Sequence, residues 1–341
     1  MKEKILQKNQ LSKFIEELTK NHKVLAPVKK NGFYVFKEVR SADEISMDFA
    51  NTKIPPKEIF FPYAEVLFNY KKTKEGIEII EAENPSGTQI IFGIRPCDAK
   101  SFLLLDKFFA LGKFQDPYYQ KRREKTKLIG LACIEPLSTC LCTTLGGSPF
   151  GEEGMDVLLT DLGDKYLVKS LNMKGDTLIE TMDWLEDASE KDLSNATEAT
   201  KKALAIMKKE ISLDNVAENL DKLFSEEKFW LQYSQPCIGC GTCTFLCPTC
   251  HCFDVTDEET PSGGMRIRLW DACQFPIFTK HGSGHNPRPN HISRMRQRIM
   301  HKFNYYPKVL SEIGCVGCGR CIFACPGNID IRVVLNNVQE T

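Results

Sequence analysis

Long apolar runs are missing from this chain of 341 residues. The nearest to one, Phe102 to Leu111, is broken by Asp106 and Lys107 and falls well short of the ~20 apolar residues that a membrane span needs. The stretch Met1 to Lys20 is rich in lysine and glutamate and has no apolar h-region, so neither a signal peptide nor a membrane span is expected and a cytoplasmic location is. Net charge is missing too: 45 Lys and Arg balance 45 Asp and Glu, alongside 42% hydrophobic residues. That balance gives disorder and wholesale nucleic-acid binding no support. No Walker motif occurs, and the loop carrying Gly146, Gly147, Gly151 and Gly154 is not a GxGxxG opening a helix after a strand. No catalytic arrangement of side chains is visible, so no catalytic residue is assigned.

Cysteine is abundant instead, with 15 in the chain. A reducing cytosol would keep them as thiols unless metal claimed them, so metal is the default reading. Eight form two runs of the pattern CxxCxxCxxxCP, Cys237 to Pro248 and Cys315 to Pro326. Three cysteines spaced two residues apart let one short loop fold its thiolates onto three irons of a cubane, with Gly239, Gly241, Gly317 and Gly319 permitting the tight backbone. The fourth lies beyond that reach and in two-cluster ferredoxins ligates the other cluster. The expected ligand sets are therefore Cys237, Cys240, Cys243 and Cys325 for one [4Fe-4S] cluster, and Cys315, Cys318, Cys321 and Cys247 for a second. Zinc sites use two pairs of ligands, which a four-cysteine run followed by proline fits poorly.

The length suits two domains. Over residues 1–175 short β-rich runs alternate with loops and one helix, an α/β domain. Strands are expected at Val24 to Val28, Phe33 to Val39, Glu58 to Phe61, Ile77 to Ile80, Gln89 to Ile94, Leu128 to Ala132 and Val157 to Leu159. Asp98 is placed to cap a helix over Ala99 to Leu111 that turns Phe102, Leu105 and Phe109 inward. Residues 176–228 read as a helical connector, with helices at Ser194 to Glu210 and Leu213 to Phe224. Residues 229–341 read as a mainly helical, ferredoxin-like dicluster domain. Its long insert carries a helix at His291 to Phe303 after a turn at Asn286 to Asn290, and a last helix runs over Asn328 to Val338. The layout resembles that of respiratory and heterodisulfide-reductase-type subunits.

Cys97 and Cys133 follow expected strands, and Cys140 and Cys142 come shortly after. Strand ends on one edge of a sheet are where α/β domains place binding loops, so these four are read as a third [4Fe-4S] site, with zinc as the competing metal and apolar burial as the plain alternative. Cys250, Cys252 and Cys273 are read either as a further metal site, with His251 or His285, or as packing around the clusters. No metal is assigned to them. The insert is basic, with Arg266, Arg268, Lys280, Arg288, Arg294, Arg296, Arg298, Lys302 and Lys308. These offset cluster charge or form a docking surface, both ahead of nucleotide binding. His281, His285, His291 and His301 are expected at the surface or in hydrogen bonds.

An ordered set of motifs carries a family likeness over nearly the whole chain: LAPVK at Leu25, IPPKEIFF at Ile54, FGIRPCD at Phe92, IGLAC at Ile129, TCLC at Thr139, CPTCHCFDV at Cys247, RLWDACQF at Arg268, GHNPRP at Gly284 and CVGCGRC at Cys315. The chain resembles the iron-sulfur beta subunit of cytosolic sulfhydrogenase-type NiFe hydrogenases, which is similar to the iron-sulfur subunit of anaerobic sulfite reductase. That resemblance implies a relay between a flavin subunit using NAD(P)H and a catalytic subunit of hydrogenase or sulfite-reductase type. The residues agree, since the chain has cluster ligands but neither a dinucleotide fingerprint nor nickel-type CxxC pairs. The alternative is a self-contained reductase whose first domain binds flavin or another cofactor beside Cys97 and Cys142.

Overall fold

The computed structural model describes residues 2–82, 87–207 and 211–340. Its strands are β1 (Glu3–Gln7), β2 (Lys23–Lys30), β3 (Phe33–Val39), β4 (Ala64–Thr73), β5 (Gly76–Glu81), β6 (Gln89–Ile94), β7 (Thr126–Leu131), β8 (Val157–Asp161), β9 (Lys165–Ser170), β10 (Glu186–Asp187), β11 (Phe253–Thr260) and β12 (Gly263–Trp270). Eight form one mixed sheet in the order β10-β1-β9-β8-β7-β6-β2-β3. Its centre, β2, β6, β7 and β8, is parallel. Such strands are buried on both faces and so are continuously apolar. In β6, Ile90 and Phe92 pack with the helix Leu11–Asn21, while Ile91 and Ile94 pack with the helix Pro96–Phe109.

Phe102, Leu105 and Phe109 are buried as expected, but the helix starts at Pro96, with Arg95 rather than Asp98 at its cap. Proline is preorganised for the first helical position. Asp98 is instead committed to an ion pair with Arg320. The segment Glu58 to Phe61 is likewise not a strand: Pro56–Ile59 is a short 3-10 helix, started by the pair Pro55 and Pro56.

The second sheet, β11-β12-β4-β5, is antiparallel. It joins a hairpin from the first half of the chain to one from the insert between the cysteine motifs. The insert hairpin adds two strands to a carboxyl-terminal region that was expected to be mainly helical. Every residue of β11 is exposed, so this edge strand shows no apolar alternation by which the sequence could reveal it. The helices Glu227–Ser234, His291–Met300 and Ile331–Gln339 of this region share a separate apolar cluster that includes Trp230, Ile299 and Leu335. The polar connector holds the helices Glu190–Ile206 and Val216–Leu223; the expected helical end at 208–210 lies outside the described residues. Asn290 caps the helix His291–Met300 by accepting from the Ser293 amide at 2.9 Å. That helix runs on through a π-helical turn, His301–Tyr305.

Candidate metal centres

The second motif closes on itself and on one residue of the first. Cys247, Cys315, Cys318 and Cys321 line a single small cavity, walled by Leu141, Ile331, Arg298 and Lys302. Arg294, Arg298 and Lys302 are all buried. Their spacing of four residues puts them on one face of the helix and its π turn, and that stripe beside a cysteine motif was the readable signal that these cations serve the interior. Neither Arg298 nor Lys302 forms an ion pair with Asp or Glu among the described residues. Burial alone would lower the Lys302 ammonium, yet Cys247, Cys250 and Cys315 carry it above its ordinary value. For Arg298 and Lys302 the facing charge is therefore that of thiols in place of a carboxylate. Arg268, by contrast, is held by Glu65 and Asp116.

In the first motif, Cys237 lies in the electrostatic reach of Cys240 and Cys325, and Cys243 in that of Cys237. Cys240 is exposed, unlike the other cysteines of the chain, and its neighbour Ile238 is 68% exposed. This motif therefore stands nearest to solvent.

The four cysteines of the first half line one small cavity at the carboxyl ends of β6 and β7, together with Gly317 and Cys318 of the second motif. The two cavities share a wall. The Leu141 amide donates to the Gly317 carbonyl at 2.8 Å, and Cys140 Sγ lies 3.7 Å from the Cys318 carbonyl oxygen. Glycine is required at this approach. A Cβ on Gly317 would stand 2.5 Å from the Leu141 carbonyl, and one on Gly319 would stand 2.6 Å from the Thr139 carbonyl oxygen. Gly317→Ala is accordingly expected to pry the two loops apart and loosen both cavities, read as faster iron loss to a chelator than in the unaltered chain.

Beside this contact, buried Arg320 donates through both amino nitrogens to Asp98 at 2.6 and 2.8 Å, and through Nε to the Thr52 carbonyl at 2.8 Å. Arg95 donates to the carbonyls of Phe49, Ala50, Leu131 and Ala132, fixing the loop before Asn51. The Asn51 amide in turn donates to the Cys318 carbonyl at 2.8 Å. Asn51 and Thr52 escaped the sequence reading because nothing in their local pattern points at partners 267 and 268 positions away, Cys318 and Arg320.

Cys250, Cys252 and Cys273 line a third small cavity, with His251 and His301 but without His285. His281 and His285 are exposed and face each other with ring centroids 5.3 Å apart. The glycine-rich loop is structural: Gly154 stands at φ +79°, where a Cβ would meet the Ala99 carbonyl oxygen at 2.8 Å.

Burial pushes the thiols up, Cys140, Cys243 and Cys315 to about 11 and Cys142 to about 12. A metal must displace their protons to bind. Among the described residues no three His, Cys, Asp or Glu side chains are grouped for one metal ion. Thiols spread around cavities, beside buried cations with no carboxylate partner, fit a polynuclear, anionic group such as a [4Fe-4S] cluster.

Residues 236–329 match the family model of a 4Fe-4S dicluster domain. The chain is also 35% identical over 329 residues to sulfhydrogenase 2 subunit beta of Pyrococcus furiosus, covering 96% of this chain and 95% of that one. This chain belongs to the sulfhydrogenase beta-subunit family. As a member it is an iron-sulfur protein of electron transfer, and its dicluster domain implies two [4Fe-4S] clusters. No helix among the described residues is long and apolar enough to cross a membrane. In this sulfhydrogenase beta-type chain the matched domain holds both cysteine motifs, the insert hairpin and the basic helix. The cysteines at 97, 133, 140 and 142 lie outside it.

Proposed function

We propose that the chain is the electron-transfer subunit of a cytoplasmic multi-subunit oxidoreductase, relaying electrons between a flavin subunit using NAD(P)H and a catalytic subunit of hydrogenase or sulfite-reductase type. The observation that carries this reading is the shared wall between the cavity of the second motif and that of the first-half cysteines. The residues to hold three [4Fe-4S] clusters in this reading are Cys237, Cys240, Cys243 and Cys325; Cys247, Cys315, Cys318 and Cys321; and Cys97, Cys133, Cys140 and Cys142. Such a group supplies a reversible one-electron couple whose potential follows hydrogen bonding and solvent exposure.

The chain's own residues do the rest. The exposed Cys240 and Ile238 make the first motif the terminus within reach of one partner. Crossed ligation by Cys247 and Cys325 ties the first site to the second, and the stacked loops at Leu141 and Gly317 tie the second to the third. Arg298 and Lys302 supply buried positive charge that favours the thiolate forms. The self-contained flavin reductase is less well supported. The open cleft beside the third site carries Asp48, Glu135 and Asp161, while its cations are spent on Asp161, for Lys8, and on backbone carbonyls, for Arg95. A flavin phosphate would find no free partner there among the described residues.

Changing Cys140 and Cys142 together to serine is expected to remove about four irons from each anaerobically reconstituted chain, as one [4Fe-4S] cluster requires. Iron content unchanged from the parent would sink the third site. Should a flavin absorption band co-purify with this chain alone, the relay reading gives way to the reductase.

A further inference from the structure

The relay described above leaves Cys250, Cys252 and Cys273 without a task. They are brought together from two segments. Pairing of Phe253 with Trp270 at the base of the β11-β12 hairpin places Cys252 opposite Asp271, whose amide donates to the Cys252 carbonyl at 2.9 Å. Cys273 follows two residues later and makes a 3.5 Å contact with Thr244 Oγ1 of the first motif. Cys250 comes from the turn after Cys247. Like the cavities at the second motif and at the first-half cysteines, the cavity they line is walled by several thiols and a buried arginine.

Buried Lys57, from the first half of the chain, fixes the turn that carries Cys250 by donating to its carbonyl at 2.7 Å. Two further observations point to an anionic group in that cavity. Arg298 Nη1 approaches Cys250 Sγ at 3.8 Å, while its other amino nitrogen is buried with no hydrogen-bond partner. No Asp or Glu is among the described residues lining the cavity, so the positive charge of Arg298 and Lys302 meets no carboxylate there. Isolated buried charge is costly unless paired.

His251 offers a fourth donor. Its Nδ1 lies 3.2 Å from the Thr249 carbonyl oxygen, so Nδ1 carries the proton and Nε2 keeps its lone pair. A backbone carbonyl on the other ring nitrogen is the usual support of a metal-binding histidine. The ring is held by stacking on Phe108 at 3.5 Å between centroids.

We propose that Cys250, Cys252 and Cys273, with His251 Nε2 as the remaining ligand, hold a further iron-sulfur cluster, a fourth redox centre set between the two dicluster sites. Binding releases the three thiol protons to solvent, and the thiolates and imidazole ligate iron. The centre lies beside Cys247 through Cys250 and beside Cys243 through Cys273, which makes it a bridge between the sites of the two motifs.

The test uses the full chain, reconstituted anaerobically with iron and sulfide. The unaltered chain is expected to hold about sixteen irons, and the Cys250→Ser, Cys252→Ser, Cys273→Ser triple variant about four fewer, as one cubane requires. One EPR signal of the dithionite-reduced chain should vanish with them, and His251→Ala should shift that same signal. Should the triple variant fail to fold, alkylation mapped by peptide mass spectrometry in the unaltered chain decides: the three thiols are to be protected when iron is bound and reactive after chelation. Undiminished iron in a folded triple variant overturns the proposal. So does equal alkylation with and without iron, loss of one zinc in place of iron, or a Cys252–Cys273 disulfide in the reconstituted chain. The Cys140, Cys142 variant probes a different cavity, so failure of the third site and failure of this one are told apart.

Discussion

Cys247→Ser is expected to empty the site of the second motif, not the first, although Cys247 belongs to the first motif by sequence. About four irons per chain should be lost, the content of one cubane. The spectrum of what remains should match that of Cys318→Ser and differ from that of Cys240→Ser. The reason is geometric: Cys247 lines the same cavity as Cys315, Cys318 and Cys321. The loss should also destabilise the fold, because Arg298 and Lys302 remain buried without the anion they face. Electron paramagnetic resonance of the reduced variants, with iron analysis, checks the first expectation, and thermal unfolding of the same samples checks the second. A Cys247→Ser spectrum matching Cys240→Ser would mean that the ligation is not crossed.

Arg320→Met should destabilise the chain by about 3–5 kcal/mol, the cost of leaving one partner of a buried ion pair uncompensated. Asp98 and Arg320 have side chains only 1% and 4% exposed, so water cannot replace the lost guanidinium. The effect should reach beyond the pair, because Arg320 also holds Thr52 through its carbonyl and its hydroxyl. That segment supports Asn51, which binds the Cys318 carbonyl. The double variant Asp98→Asn, Arg320→Met should recover part of the loss, since no buried charge is then unpaired. Urea unfolding of the four members of this cycle measures the coupling. Equal stability of the parent and Arg320→Met would show that the pair contributes nothing to joining the halves.

The cysteine spacing, the glycines within it and the order of motifs along the chain were legible as sequence because ligand loops are local. A cubane's first three ligands must come from one tight turn, and the turn imposes its spacing on neighbouring residues. Strands β6 and β7 were equally legible, because double burial makes central parallel strands uniformly apolar. The hairpin β11-β12 was not, because its edge strand is exposed along its length and leaves no periodic trace. Nor was the true role of Asp98, which looks like a helix cap until Arg320 arrives from 222 positions away.

The sequence by itself determined that this is an iron-sulfur protein with two cubane motifs and a set of further cysteines. It could group those cysteines only by analogy and strand order, because a thiol's partners are a property of distance in space. The tertiary structure put Cys247 in the cavity of the second motif, Cys97, Cys133, Cys140 and Cys142 in a cavity against that motif, and Cys250, Cys252 and Cys273 in another. It did so through contacts between distant segments, the β12-β4 pairing, the glycines at Gly317 and Gly319 and the Asp98–Arg320 ion pair, none of which local pattern encodes.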